Sequence, residues 1–241
     1  MKNIVIKLLQ RILGFENYLF IFAIWIIRKL PFDKNERDFI HLFTLLPDGG
    51  TVLDIGANIG VMTTHFSKRL PFSQVFSFEP IPQNINTLKR IVRHYKLQNI
   101  KIFEFALGEK FGQVDMIMPI INNAKKHGLS HILPPGAHAE SGIEFKVEVK
   151  CLDDVPEIIN IQRPITAIKI DVEGFELPVL KGAKMTIKKH RPVIYCELWD
   201  NKDRRNTISF LSKLGYKTKV MKRNKLVKYK NQKTQNFFFI P

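Results

Sequence analysis

The stretch Val52-Leu53-Asp54-Ile55-Gly56-Ala57-Asn58-Ile59-Gly60, VLDIGANIG, decides the fold. Residues 51–55 read as a buried strand and residues 61–70 as a helix that Pro71 ends. Dinucleotide-binding folds join such a strand to its helix by G-x-G-x-x-G, whose open turn brings backbone amides against a pyrophosphate. Here the glycines stand as Gly56-x-x-x-Gly60, and a carboxylate, Asp54, sits two residues ahead of the first. An acid in that place repels phosphate. It suits a ligand that carries positive charge and no phosphate.

S-adenosylmethionine, with an ammonium and a sulfonium, is such a ligand. The glycines would let its adenosine and methionine parts approach the backbone. An ordinary strand–turn–helix can show the same pattern, so a second residue matters. Glu79 ends the next strand, residues 74–79 (QVFSFE), 19 residues after Gly60, and Pro80 stops that strand. An acid about 20 residues past the glycine turn can accept hydrogen bonds from two ribose hydroxyls.

Working outward, strands and helices alternate. Residues 39–46 read as a short helix, stopped by Pro47-Asp48-Gly49-Gly50. Residues 83–95 have helical spacing in Ile85, Leu88, Ile91 and Val92, and residues 100–106 form a third strand. Such alternation predicts a parallel sheet with helices on both faces. Residues 111–151 break the rhythm as an insertion: strands at 113–118 and 144–151 flank a polar, turn-rich piece. Long irregular loops in compact domains are often functional. Strands at 166–171 and 193–198 follow, then a helix at 208–214. Residues 216–221 and 236–240 can close the sheet as an antiparallel pair.

The strand at 166–171 runs into Ile168-Lys169-Ile170-Asp171-Val172-Glu173-Gly174-Phe175-Glu176, IKIDVEGFE. It delivers Asp171, Glu173 and Glu176 near its carboxyl end, where open α/β sheets bind their ligands. These acids can orient a substrate hydroxyl, accept its proton, or bind a divalent metal. A helix start also favours acids, which suits Glu176 well and Asp171 poorly. Glu197, ending the next strand, is expected in the same crevice. His127, His131 and His138 in the insertion are further candidate bases, beside the plainer reading of solvated loop histidines.

VLDIGANIG, SFEP, FALGEKFG, the CLDD stretch, IKIDVEGFELPVLKGA and PVIYCELW, in this order, resemble the FkbM-type methyltransferases. The resemblance covers residues 50–241, and DVEG-x-E-x-x-VLKGA is its most specific part. It implies a class I methyltransferase (Rossmann-like) fold of seven strands with the last antiparallel. It implies S-adenosylmethionine as donor and O-methylation, often of sugar or natural-product hydroxyls. Carried over, Asp54, Gly56, Asn58, Gly60 and Glu79 would hold the donor, with Ala106 beside the adenine. Asp171 and Glu173 would lie at the active site, and Glu197, from its place at the end of the next strand, is a third catalytic candidate. The acceptor would be a glycan or a small molecule, and no residue set is assigned to a metal.

Composition bounds the alternatives. The 241 residues are 45% hydrophobic, enough for one large domain with extra elements. Cys151 and Cys196 give no disulfide framework and read as core. The formal net charge of +16 implies an anionic partner or a solvated basic face. Lysines are not interleaved with an aromatic RNA platform, so nucleic acid is not the expected partner. Amino-group methylation often goes with Asn/Asp-Pro-Pro-aromatic after the fourth strand, and here Pro134-Pro135 lies in the irregular loop instead. A methyltransferase acting on RNA or another small molecule, and a non-catalytic donor-binding protein, stand as alternative readings.

Residues 1–35 lie outside the resemblance and read as an apolar, amphipathic helical segment ahead of a domain at 36–241. The apolar run YLFIFAIWII, residues 18–27, is flanked by Arg28 and Lys29. A membrane span needs roughly 17–25 apolar residues, and this run has ten. No small-residue cleavage site follows it. Residues 1–30 are therefore expected either to pack on the domain or to rest peripherally on the inner face of a membrane, with the enzyme in the cytoplasm.

Overall fold

The computed structural model of the chain describes residues 2–133 and 141–241. Helices α1 (Lys2–Leu13), α2 (Phe15–Lys29) and α3 (Arg37–Leu42) come first. Then β1 (Thr51–Ile55), α4 (Val61–Arg69), β2 (Gln74–Phe78), α5 (Pro82–His94) and β3 (Ile100–Phe103) alternate. The insertion holds β4 (Ala106–Leu107), β5 (Gly112–Ile121), β6 (Ala124–Lys125), β7 (His131–Ile132) and β8 (Gly142–Lys150). After it come α6 (Pro156–Ile159), β9 (Ile165–Ile170), α7 (Glu176–Gly182), α8 (Lys184–His190), β10 (Val193–Glu197) and α9 (Lys202–Lys213). Strands β11 (Lys217–Lys222), β12 (Lys225–Lys228) and β13 (Asn236–Ile240) complete the chain.

The main sheet runs β12-β11-β13-β10-β9-β1-β2-β3. Its β1, β2, β3, β9 and β10 are parallel, and β13 enters antiparallel between β10 and β11. This is the expected class I methyltransferase fold, with its last strand antiparallel. It has eight strands rather than seven, because β12 adds antiparallel pairing to β11 at the edge.

Strand alternation divides the interior in two. Leu53, Ile55, Ile168, Ile170, Ile194, Cys196, Phe237 and Phe239 face one core. Val52, Val75, Ala167, Tyr195 and Phe238 face the other, with Phe39 of α3 and Phe66 of α4. Both faces of the parallel strands are covered, so these strands read as near-continuous apolar runs. Of the two cysteines, Cys196 is buried as expected. Cys151 is only half-buried and donates to Glu109 O.

The insertion folds as its own sheet, ordered β4-β8-β5-β6, with β7 pairing β5. Ala106, expected to end the third strand, belongs to this sheet. The third strand stops at Phe103, and Ala106 pairs with Val149 of β8. Helix α2 packs on the domain through Tyr18, Leu19, Ala23 and Ile27 against Ile59 and Ile91. His65 of α4 bonds Ile27 O at 3.1 Å, and burial pushes its imidazole down to about 4.

Candidate active site

A narrow cleft of about 80 Å³ opens beyond the carboxyl ends of β1, β2 and β9. Gly56, Asn58, Glu79 and Asn84 supply its polar side, and Ala106, Leu107, Met116 and Ile132 an apolar wall. The insertion roofs it with His127, Gly128 and Ser130.

The glycine turn is built as its sequence requires. Gly56 has φ +76°, and an added Cβ would lie 1.9 Å from Asp171 O, so the backbone after β1 touches the backbone after β9. Asn58 has φ +50°, a left-handed position that Asn tolerates. Gly60, at φ +85°, precedes α4.

Glu79 is almost wholly buried at the cleft floor. Its carboxylate accepts from Asn58 N at 2.9 Å, Ile81 N at 3.0 Å and Asn84 Nδ2 at 3.1 Å. Burial raises its pKa against the pull of these bonds. A carboxylate offers about four acceptor positions, so about one is left for a ligand, where the sequence reading assigned two hydroxyls. Beside it, Asn84 Oδ1 is buried with no hydrogen-bond partner. An unpaired acceptor in a small-molecule cleft fits a hydroxylated ligand.

Asp54 is not where the sequence reading put it. It is fully buried and does not line the cleft. Asp54 and Lys169 are register partners on adjacent parallel strands. Their side chains form an ion pair at 3.3 Å, and Thr63 Oγ1 donates to Asp54 at 2.6 Å. Lys169 Nζ also donates to Gly56 O at 2.9 Å and lies 3.7 Å from Asp171. Burial alone would push the Lys169 pKa down. The negative charges of Asp54 and then Asp171 outweigh it and hold the ammonium charged. Asp54 thus fixes the glycine turn from beneath, through Lys169. A lysine inside a buried strand must be paired, and that was the signal available in IKID.

The acids at the end of β9 diverge. Asp171 lines the cleft on one side. On its other side it lines a small hollow with Glu36, Lys169, Tyr195 and Glu197. Glu197 lies in that hollow and does not line the cleft, because it shares the strand face of Tyr195. Glu176 is buried in the first turn of α7 and accepts from Gly174 N at 2.9 Å, the helix-start arrangement. Glu173 has φ +51°. A non-glycine residue held there is strained, and this one is aimed at a junction. It lines both the cleft and an adjoining open groove of about 930 Å³ with Trp199, Asn201, His131 and Lys233.

Burial, then the charges of Asp171 and Glu197, pushes the Glu173 carboxyl up to about 7, while a hydrogen bond from Trp199 pulls it back. Glu197 is likewise raised to about 7 by burial and Asp171. His127 is a poor base: burial pushes it down to about 4, and its ring packs edge-on against Phe22 of α2. His131 lies in the groove, and His138 lies outside the described residues, as does Pro134-Pro135. Among the described residues no three His, Cys, Asp or Glu side chains are grouped to hold a metal ion. Lys169 already sits between Asp54 and Asp171, so the acids do not offer the donor set that the metal reading needs. Sequence reasoning missed Lys169, Asn84, Glu36 and Trp199.

A family model described as Methyltransferase FkbM domain matches residues 54–218. The chain is 31% identical over 175 residues to the 2-O-methyltransferase NoeI of Sinorhizobium fredii, covering 69% of this chain and 70% of that one. It is 29% identical over 206 residues to the hexuronic acid methyltransferase AglP of Haloferax volcanii, covering 84% and 77%. Among solved structures it resembles the FkbM methyltransferase from Methylobacillus flagellatus, with a TM-score of 0.55 and 20% identity. That likeness covers 80% of this chain and 44% of the solved one, and it speaks to the fold.

Proposed function

The chain belongs to the FkbM methyltransferase family and is an S-adenosylmethionine-dependent methyltransferase, and from that we propose that it methylates a hydroxyl of a saccharide. The observation that carries this reading is Glu173, a carboxyl with its pKa near 7 at the junction of cleft and groove. A base works best with a pKa near the working pH, and a hydroxyl is a poor nucleophile that needs one. Two relatives, a 2-O-methyltransferase and a hexuronic acid methyltransferase by name, support the acceptor class.

The cleft is the donor site in this reading. Its apolar wall at Ala106, Leu107 and Ile132 takes the adenine. Asn84 Oδ1 and the remaining acceptor position of Glu79 share the ribose hydroxyls. When bound, S-adenosylmethionine supplies an electrophilic methyl group on a positively charged sulfur. Asp171, at the mouth on the same side, offers negative charge toward that cation. The groove is the acceptor site. Trp199 is 45% exposed there, a platform for the apolar face of a pyranose. Its hydrogen bond also orients Glu173, which takes the hydroxyl proton as the new carbon–oxygen bond forms.

Glu79→Ala would leave three donors without their acceptor, at about 1–3 kcal/mol for bonds to a charged group. Donor affinity measured by calorimetry should fall about ten-fold or more. Unchanged affinity in a folded variant removes Glu79 from the donor site.

The acceptor reading is tested by labelled methyl transfer to oligosaccharides, uronic acids, RNA and phenols. Label should enter the saccharides. Label in RNA or phenols alone overturns the saccharide assignment. With a saccharide in hand, Trp199→Ala should raise its KM about ten-fold, equivalent to about 1.4 kcal/mol, and leave donor affinity unchanged. An unaltered KM would place the acceptor elsewhere.

A further inference from the structure

Helix α1 presents its apolar residues to the wrong side for a packing element. Val5, Leu8, Leu9 and Ile12 recur at helical spacing, and all four are exposed, Ile12 by 69%. The inward face is already occupied. Ile6 and Leu13 pack with α2, and Gln10 clasps the Lys125 backbone through both amide atoms, at 3.1 Å each. Helix α2 repeats the pattern. Tyr18, Leu19, Ala23 and Ile27 turn into the domain, while Ile21 and Trp25 are more than half exposed. Phe32, just beyond, is 85% exposed. Exposed apolar side chains gathered on the outer face of a helix mark an interaction surface.

Charge identifies the partner. Lys7 and Arg11 stand beside the α1 stripe, and Arg28 and Lys29 close α2, all four exposed. Glu16 is the one acid in residues 1–32, and the next acid, Asp33, pairs with Lys29 at 2.9 Å. Apolar faces bordered by basic residues match the boundary between acyl chains and anionic headgroups. Among the described residues no single helix is long and apolar enough to cross a membrane, and α1 and α2 meet at a bend of 118° around Gly14. We propose that the outer faces of α1 and α2 seat this protein on an anionic lipid surface. The proposal is independent of the acceptor assignment. It reconciles the two roles expected for residues 1–30: the inner faces pack, and the outer faces dock.

The test is co-sedimentation of the full-length protein with vesicles of phosphatidylglycerol and phosphatidylcholine, against phosphatidylcholine alone. Binding should favour the anionic vesicles by at least about ten-fold and weaken in high salt, since surface charges are screened. Leu8→Ser with Ile12→Ser changes exposed side chains only. That variant should keep the thermal midpoint and donor affinity of the parent, and lose vesicle binding by about ten-fold or more. A full-length protein that stays in the supernatant with anionic vesicles at low salt overturns the proposal. So does a variant that sediments like the parent. A concentration-dependent dimer that the same substitutions abolish, with no vesicle binding, would assign the face to a second copy of the chain.

Discussion

Glu173→Gln should lower kcat by two to four orders of magnitude while calorimetric donor affinity stays within about two-fold. General-base catalysis contributes about 10²–10⁴-fold, and glutamine keeps the size of the side chain and an acceptor for Trp199. The pH profile separates chemistry from packing. Below about 7 the Glu173 carboxyl holds its proton and cannot take another, so kcat should rise as pH climbs through about 7 and level off above. The glutamine variant should lose that limb. Glu197 is raised to the same region and faces the same Asp171 charge, so the two acids titrate as a unit. Removing one negative neighbour eases ionisation of the other. Glu197→Gln should therefore keep most turnover and move the limb to lower pH. Wild-type turnover with an intact limb in Glu173→Gln would make the acid cluster structural.

Lys169→Met should destabilise the fold by about 3–5 kcal/mol, the usual consequence of removing one partner of a buried ion pair. For a chain of this size that corresponds to a thermal midpoint lower by roughly 6–20 °C, at about 2–4 °C per kcal/mol. The cause is Asp54, left fully buried and unpaired, together with Gly56 O deprived of its donor. Asp54→Asn combined with Lys169→Met removes the orphaned charge and leaves an acceptor for Thr63, so much of the stability should return. Thermal and denaturant melts of the single and double variants measure this. A single variant within about 1 kcal/mol of wild type would mean that the pair contributes little. A double variant no better than the single would shift the blame to Gly56.

The main sheet was legible because parallel strands buried on both faces leave long apolar runs, as in residues 51–55 and 165–170. The two turns that carry chemistry were legible for the same reason: each interrupts such a run with glycine and acid. What was not legible depended on which neighbour a strand acquires. Asp54 could be assigned to a ligand only by overlooking that Lys169 stands opposite it across the β1–β9 pairing, and register is a long-range fact. Glu197 shares its strand face with Tyr195, toward α3, and alternation without a known starting face leaves that choice open. Ala106 left the third strand because β8, more than forty residues later, offered it a partner. The Asn84 acceptor is a matter of an unmet hydrogen bond, which no residue pattern displays.

The contact of Gly56 with the Asp171 carbonyl has a consequence for how the two reactants are kept apart. In the proposed reading, one backbone turn lies under the methyl donor, and the other carries the base toward the acceptor. They meet with no slack, since a single Cβ would have to push them apart by about 1 Å, from 1.9 Å to the shortest contact that real side chains show, 3.0 Å. A displacement of about that size can cost about 10²-fold in rate. On that reading the reaction distance is set by two main chains in contact, as a spacer of fixed thickness sets the gap between two plates. Changes in the roof, the groove or the outer helices can retune what binds without altering how far the methyl group has to travel.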